Sequence, residues 1–441
     1  MKQLKILFAS IPFDGHFAPL TGLAAYLKRS GHDVRWYTQQ VYQNKLVTLG
    51  VPHYPFKRAV QYNQFNLDEI FSERLQYTGQ IKRLNFDLQH SFIKRAPEFF
   101  EDINEIHETF PFDILIADVM FTAIPLVKEK LKKPVISIGV FPLAESSKDL
   151  APAGLGLTPA DSFFGRLSQG FLRLITDRVL FGKSHKLYRK ILASYGVEAK
   201  ANTIDFLVRS ATYFLQSGTP GFEYKRSDFG KNIRFIGALL PLRSQRKYAG
   251  DLERKASSFR QVILVTQGTI EKDPEKLLVP VLEAYKDTDC FVIATTGGSK
   301  TKELRQRYAY ANIMVEDFIP FDQVLPYTSV FITNGGYGGV MLGIEHNVPL
   351  VVAGVHEGKN EINARVGYFK LGINLTTEAP SKEQIIKSVE EIFTNREYKE
   401  NVKRLGAEFR QYNPLQLTEK YMYEAVGYEK QLSPPVVELQ D

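Results

Sequence analysis

An imidazole and a carboxylate stand at the ends of two short apolar runs, where folding could bring them together. His16 follows Gly15 just after Lys5-Ile-Leu-Phe-Ala-Ser10, and Asp118 closes Asp113-Ile-Leu-Ile-Ala-Asp118. If both runs are strands of one sheet, the two side chains share its rim. A carboxylate on one ring nitrogen fixes the tautomer and stabilises the imidazolium, so the other nitrogen can take a proton near neutral pH. Such a pair is a general base. The competing reading is that a lone histidine is structural or lies on the surface. Asp113, preceding its strand, is better suited to cap or to face solvent.

A second constellation lies in the other half of the chain. Ser329-Val-Phe-Ile-Thr333 runs into Asn334-Gly335-Gly336-Tyr337-Gly338-Gly339. Glycines between an apolar strand and a helix let backbone N–H groups approach a phosphate, and the helix N-terminus adds a favourable dipole. The pattern is neither G-x-G-x-x-G nor a P-loop, so nicotinamide and P-loop chemistry are poorly supported. A strand-helix turn without function is the alternative. Gly268-Thr269, after Gln261-Val-Ile-Leu-Val-Thr266, is a weaker partner that supplies an amide and a hydroxyl. Together the two loops point to a diphosphate held in the C-terminal half.

These residues need a scaffold of alternating strands and helices. Strands are expected at Lys5–Ser10, Asp33–Thr38, Asp113–Asp118 and Pro134–Gly139, with a helix over Pro19–Ser30. A second set is expected at Gln261–Thr266, Cys290–Thr295, Ser329–Thr333 and Pro349–Ala353. The fold class is therefore α/β, two Rossmann-like doubly wound units facing across a cleft. The expected division is 1–240, a polar linker at 241–258 carrying Pro241, Arg243, Arg246, Lys247 and Gly250, a second unit at 259–428 closed by C-terminal helices, and a tail at 429–441. Residues 54–110 are rich in phenylalanine in helical, charged surroundings; these rings either face the core or wall a pocket for a flat apolar ligand. Phe13, Phe17, Phe86, Phe92 and Phe141 are the candidates for that wall. Residues 163–181 form a basic amphipathic stretch, read as a packed helix or acceptor lid, with contact to anionic lipid as the alternative.

Composition removes several classes. The chain has 441 residues and one cysteine, Cys290, so no intrachain disulfide can form and a reducing cytoplasm is the expected compartment. Lys2 and Lys5 flank a short strand-like run rather than a secretory leader. The longest apolar run, Pro134 to Ala144, is too short to span a bilayer. His32, His53, His90, His107, His185, His346 and His356 show no metal-binding spacing, so no metal is expected. There is no G-x-S-x-G elbow, and the formal charge of +7 comes without a nucleic-acid-binding signature.

Taken together, the residues resemble the UDP-glycosyltransferase family of inverting enzymes with the GT-B fold, including bacterial natural-product and macrolide-type members. The resemblance rests on Gly15-His16-Phe-Ala-Pro19 and on a stretch from about Val315 to Leu375. It implies that His16 is the catalytic base, paired with Asp118. Phe318-Ile319-Pro320 matches the aromatic-x-Pro opening of the donor signature, implying that Phe318 stacks on the nucleobase and the Ile319 backbone reads its edge. Gly15, Gly268, Thr269, Asn334, Gly335, Gly336, Gly338, Gly339, Lys359 and Asn360 complete the implied donor site. Departures are clear. Asn334 stands for the usual histidine, Gly339 for a serine, Leu342 for the glutamate that binds the ribose hydroxyls, and Lys359-Asn360 for an acid-glutamine pair. Those changes lean towards dTDP-rhamnose over UDP-glucose, unless Glu345 or Glu357 restores the lost contact. The acceptor is expected to be a lipophilic, polyphenol-like small molecule, with no cofactor and no stable membrane insertion. A sugar-nucleotide epimerase, a lipid-linked sugar transferase and a non-catalytic nucleotide-sugar sensor are the alternatives.

Overall fold

The computed structural model describes residues 2–242 and 252–428, which build two parallel sheets covered by helices. The first contains β1 (Lys5–Ala9), β2 (Asp33–Thr38), β3 (His53–Pro55), β4 (Ile114–Asp118), β5 (Val135–Gly139), β6 (Tyr213–Ser217) and β7 (Ile233–Gly237). Their order is β3-β2-β1-β4-β5-β6-β7. Leu7 and Ala9 enter the core on one face, while Ile6 and Phe8 enter the core on the other. Burial on both faces is why these strands are continuous apolar runs instead of alternating ones.

The second sheet contains β8 (Gln261–Thr266), β9 (Cys290–Thr295), β10 (Ile313–Glu316), β11 (Val330–Thr333), β12 (Leu350–Val352) and β13 (Gly372–Asn374), in the order β10-β9-β8-β11-β12-β13. Strand order reverses between β1 and β4 and again between β8 and β11. Ligand crevices form at the carboxyl ends of strands at such points. His16 and Asp118 follow the first pair of strands; Gly268 and Asn334 follow the second.

The eight expected strands are present, with ends that agree to within one residue. β3, β6, β7, β10 and β13 are additional. β3 and β13 are three-residue edge strands holding Pro55, Gly372 and Asn374, types that strands usually avoid. The first helix runs over Asp14–Arg29, so it begins five residues before the expected start. Pro19 lies inside it. The one bond it cannot donate would end on the carbonyl of Gly15, an exposed residue. His16 therefore sits in the first turn of a helix rather than at the tip of a strand.

Two boundaries move. A helix over Leu252–Ser257 places Leu252 and Ala256 in the second core beside Val262 and Phe291, so this unit takes in part of the expected linker. Arg243, Arg246, Lys247 and Gly250 lie outside the described residues, as does the tail at 429–441. The last helix, Pro414–Ala425, crosses back to the first unit, where Leu417, Met422 and Tyr423 join the core of Leu4 and Val34. The Tyr26 and Tyr213 hydroxyls donate to Glu419 and Glu424 of that helix at 3.1 and 3.0 Å.

Candidate active site

His16 and Asp118 meet. Nδ1 of His16 lies 2.9 Å from Oδ1 of Asp118, which is fully buried. The carboxylate also accepts the Met120 amide at 2.9 Å on Oδ1 and the Ile11 amide at 2.8 Å on Oδ2. Three donors converge on one carboxylate. With its oxygens accepting from the ring and from both amides, Nδ1 carries the hydrogen and Nε2 is left bare. The imidazole is 18% exposed, so that nitrogen can be reached from the cleft. The arrangement can remove a proton from a hydroxyl.

Aromatic rings surround the imidazole. Phe141 and Phe13 lie 6.0 and 6.3 Å from it between ring centroids, and Phe92 lies 5.9 Å from Phe13. All three are partly exposed. Tyr62, fully buried, packs behind Phe13 at 6.1 Å and donates its hydroxyl to the Ser91 carbonyl, so it supports the wall without facing the cleft. Two expected members do not belong. Phe17 is fully buried, stacked on Tyr42 at 4.0 Å and packed on Trp36, because a helix that starts at Asp14 turns its fourth residue into the core. Phe86 is also buried, stacked on His90 at 4.1 Å. Burial, and then the Lys94 ammonium, push His90 below the usual imidazole range.

Across the cleft, the two glycine loops adjoin. Gly268 (φ +76°) lies against the Asn334 amide, which donates one N–H to the Gln267 carbonyl. That bond joins the loops, a use of Asn334 that differs from the expected phosphate contact. Gly335 has φ +84°, and a Cβ there would meet Asn363 Oδ1 at 1.8 Å, so glycine is obligatory on both counts. Gly336 caps the helix Tyr337–Glu345, leaving the amides of Tyr337, Gly338 and Gly339 as first-turn donors. A Cβ on Gly338 would meet open space, whereas one on Gly339 would touch Phe331 and Thr333. Thr269 is exposed beside Gly297, a neighbour the sequence reading did not place in the site. Phe318 is 67% exposed against Gly298, a flat ring open to a stacking partner, while Ile319 is rooted in the core.

A buried ion trio ties the halves together. Arg365 donates to Glu223 of the first unit at 2.8 and 3.0 Å and to Glu361 at 3.1 Å. Glu361 in turn accepts the Gly154 and Gly156 amides at 2.8 and 2.7 Å. Asn360 donates to the Gly154 carbonyl at 2.8 Å, so this expected sugar-binding residue holds a domain contact instead. Lys359 pairs with Glu357 at 2.7 Å. At another point of the cleft rim, Lys272 of the second unit lies over the Phe65 ring of the first at 5.3 Å. None of Glu223, Glu361 and Arg365 stood out in the sequence, where each is an ordinary charge.

Two doubly wound units facing across a cleft, with an imidazole-carboxylate pair on one wall and two glycine loops on the other, are the architecture of a glycosyltransferase of the GT-B class. The chain belongs to the family described as UDP-glucoronosyl and UDP-glucosyl transferase, whose model matches residues 157–418. It is 32% identical over 410 residues to 4'-demethylrebeccamycin synthase of Lentzea aerocolonigenes, covering 92% of this chain and 95% of that one. It is 30% identical to UDP-glucosyltransferase 1 of Beauveria bassiana, covering 95% and 94%. Among solved structures, the calicheamicin glycosyltransferase CalG4 matches with a TM-score of 0.74 at 19% identity, over 98% of this chain and 100% of that one. The protein transfers sugar from a nucleotide sugar to a small-molecule acceptor.

Proposed function

We propose that transfer proceeds by direct displacement with inversion, the acceptor hydroxyl being deprotonated by Nε2 of His16. The observation that carries this reading is the 2.9 Å pairing of His16 with a buried, triply bonded Asp118. The acceptor oxygen attacks the anomeric carbon as its proton passes to the imidazole, and the bond to the diphosphate breaks. Charge on the leaving group is met by the amides of Gly338 and Gly339, the Thr269 hydroxyl and the helix dipole. Phe13, Phe92 and Phe141 suit a flat lipophilic acceptor such as a polyphenol. The name of one relative, a 4'-demethylrebeccamycin synthase, agrees with a small-molecule acceptor.

The donor we infer is a thymidine diphosphate 6-deoxyhexose such as dTDP-rhamnose. Leu342 offers no acceptor to a ribose 2′-hydroxyl, and the Glu357 carboxylate is engaged by Lys359. A hydroxyl that loses water without a new partner costs about 1–3 kcal/mol, a cost deoxyribose does not carry. With Asn360 held on Gly154, fewer polar groups face the sugar, which favours one lacking the 6-hydroxyl. Calorimetric titration should show dTDP binding at least about fivefold tighter than UDP, the lower end of that range. Equal or tighter binding of UDP would overturn the donor assignment and leave the base untouched.

A further inference from the structure

The helix Phe163–Ile175 is amphipathic and has no fully buried residue. Phe163, Phe164, Leu167 and Phe171 are 71, 80, 63 and 64% exposed, and Leu174 is exposed as well. At 100° per residue these five side chains fall within about 100° of one another, a single apolar stripe. The orientation is fixed from the flank. Arg173 donates to the carbonyls of Lys148 and Leu150, which anchors the helix and turns the stripe outward. The expected packed helix is thus an open face. Val179, 70% exposed, continues it, and Leu84 and Ile81 are exposed on the neighbouring helix Gln80–Asp87, joined here by the Asn85 amide to the Leu180 carbonyl.

Cations outnumber anions around this face, where Asp161 and Asp177 are the neighbouring carboxylates. Arg166, Arg178, Lys183 and Lys82 are exposed, and among the described residues they form no ion pair. Aromatic rings on one face and long cationic side chains at its edges are the chemistry of a helix that lies in the headgroup region, rings among the acyl chains and cations at the phosphates. A protein partner of matching shape would need its own acidic rim, whereas an anionic bilayer supplies both components over any area. Gln89, in the turn that ends at Phe92, donates to Ser184 at 2.9 Å, which ties the segment after the helix to the one that carries Phe92. Among the described residues no helix is long and apolar enough to cross a membrane, so contact would be with the surface.

We propose that the Phe163–Ile175 helix and its basic margin dock the protein reversibly on anionic lipid bilayers. The test is co-sedimentation of the full chain with phosphatidylcholine vesicles, with and without phosphatidylglycerol, at low and high salt. Binding is expected only to vesicles holding the anionic lipid, and high salt should weaken it. Phe164→Ser with Phe171→Ser, and separately Arg166→Gln with Arg178→Gln, should each lower the bound fraction about tenfold. Nucleotide binding should stay at the native level in both variants, showing that they are folded; it also keeps this test separate from the reaction mechanism. Absence of binding to anionic vesicles, or binding that both variants retain, would overturn the proposal. So would a native dimer that the phenylalanine variant renders monomeric while vesicles are ignored, since a second copy would then cover the face.

Discussion

Replacing His16 by alanine is expected to lower turnover by about 10²–10⁴, the span of a general base, with nucleotide binding near the native level. The separation follows from position. His16 lies in the first unit, and the glycine loops and Phe318 lie in the second. A weakly acidic phenol deprotonates readily and would understate the loss, so an aliphatic alcohol is the better acceptor. Turnover retained with the alcohol would remove His16 as the base. Asp118→Asn should cost less turnover, because the imidazole remains, but it should also cost stability. One amide oxygen cannot satisfy the donors of Ile11, Met120 and His16, and an unpaired buried donor costs about 1–3 kcal/mol. Steady-state kinetics with the alcohol and thermal unfolding separate the two effects.

The second large effect is expected from Arg365→Met. Arg365 is 3% exposed and Glu223 6%, so removing the guanidinium leaves two carboxylates in a poorly solvated interface without their cation, held only by the amides of Leu143, Gly154 and Gly156. Breaking a buried pair from one side typically costs about 3–5 kcal/mol. The loss should appear as a lower unfolding midpoint and as weaker coupling of the halves. Glu223→Met combined with Arg365→Met should recover part of it, because less charge is then left unpaired. If the single variant matched the native chain in thermal unfolding, the trio would have no role in holding the units together. Methionine is the choice here because it keeps much of the side-chain volume.

Most of the frame was readable because parallel strands covered on both faces are unbroken apolar runs, and the glycine loops follow them directly. Asp118 was readable for the same reason, as the last residue of such a run, and His16 because it follows one after a short turn. What stayed hidden depends on rotation and distance. The start of the first helix decides that Phe17 faces Trp36 and Phe13 faces the cleft, yet both are phenylalanines four residues apart. The ion trio joins Glu223 to Arg365 over 142 positions, and no local pattern marks it. Asn360 matched a donor motif by position, and only the Gly154 loop reveals its tie to the other unit. The apolar stripe at 163–174 was visible as a pattern, but its exposure follows from the Arg173 anchor.

The most direct measurement is the anomeric configuration of the product against that of the donor, read by proton and carbon NMR on the glycoside of a simple alcohol. A single base opposite a diphosphate site leaves one displacement at the anomeric carbon, so the configuration should invert. A product with retained configuration would contradict the account, because it would require a second displacement and a nucleophile that the His16–Asp118 pair does not supply.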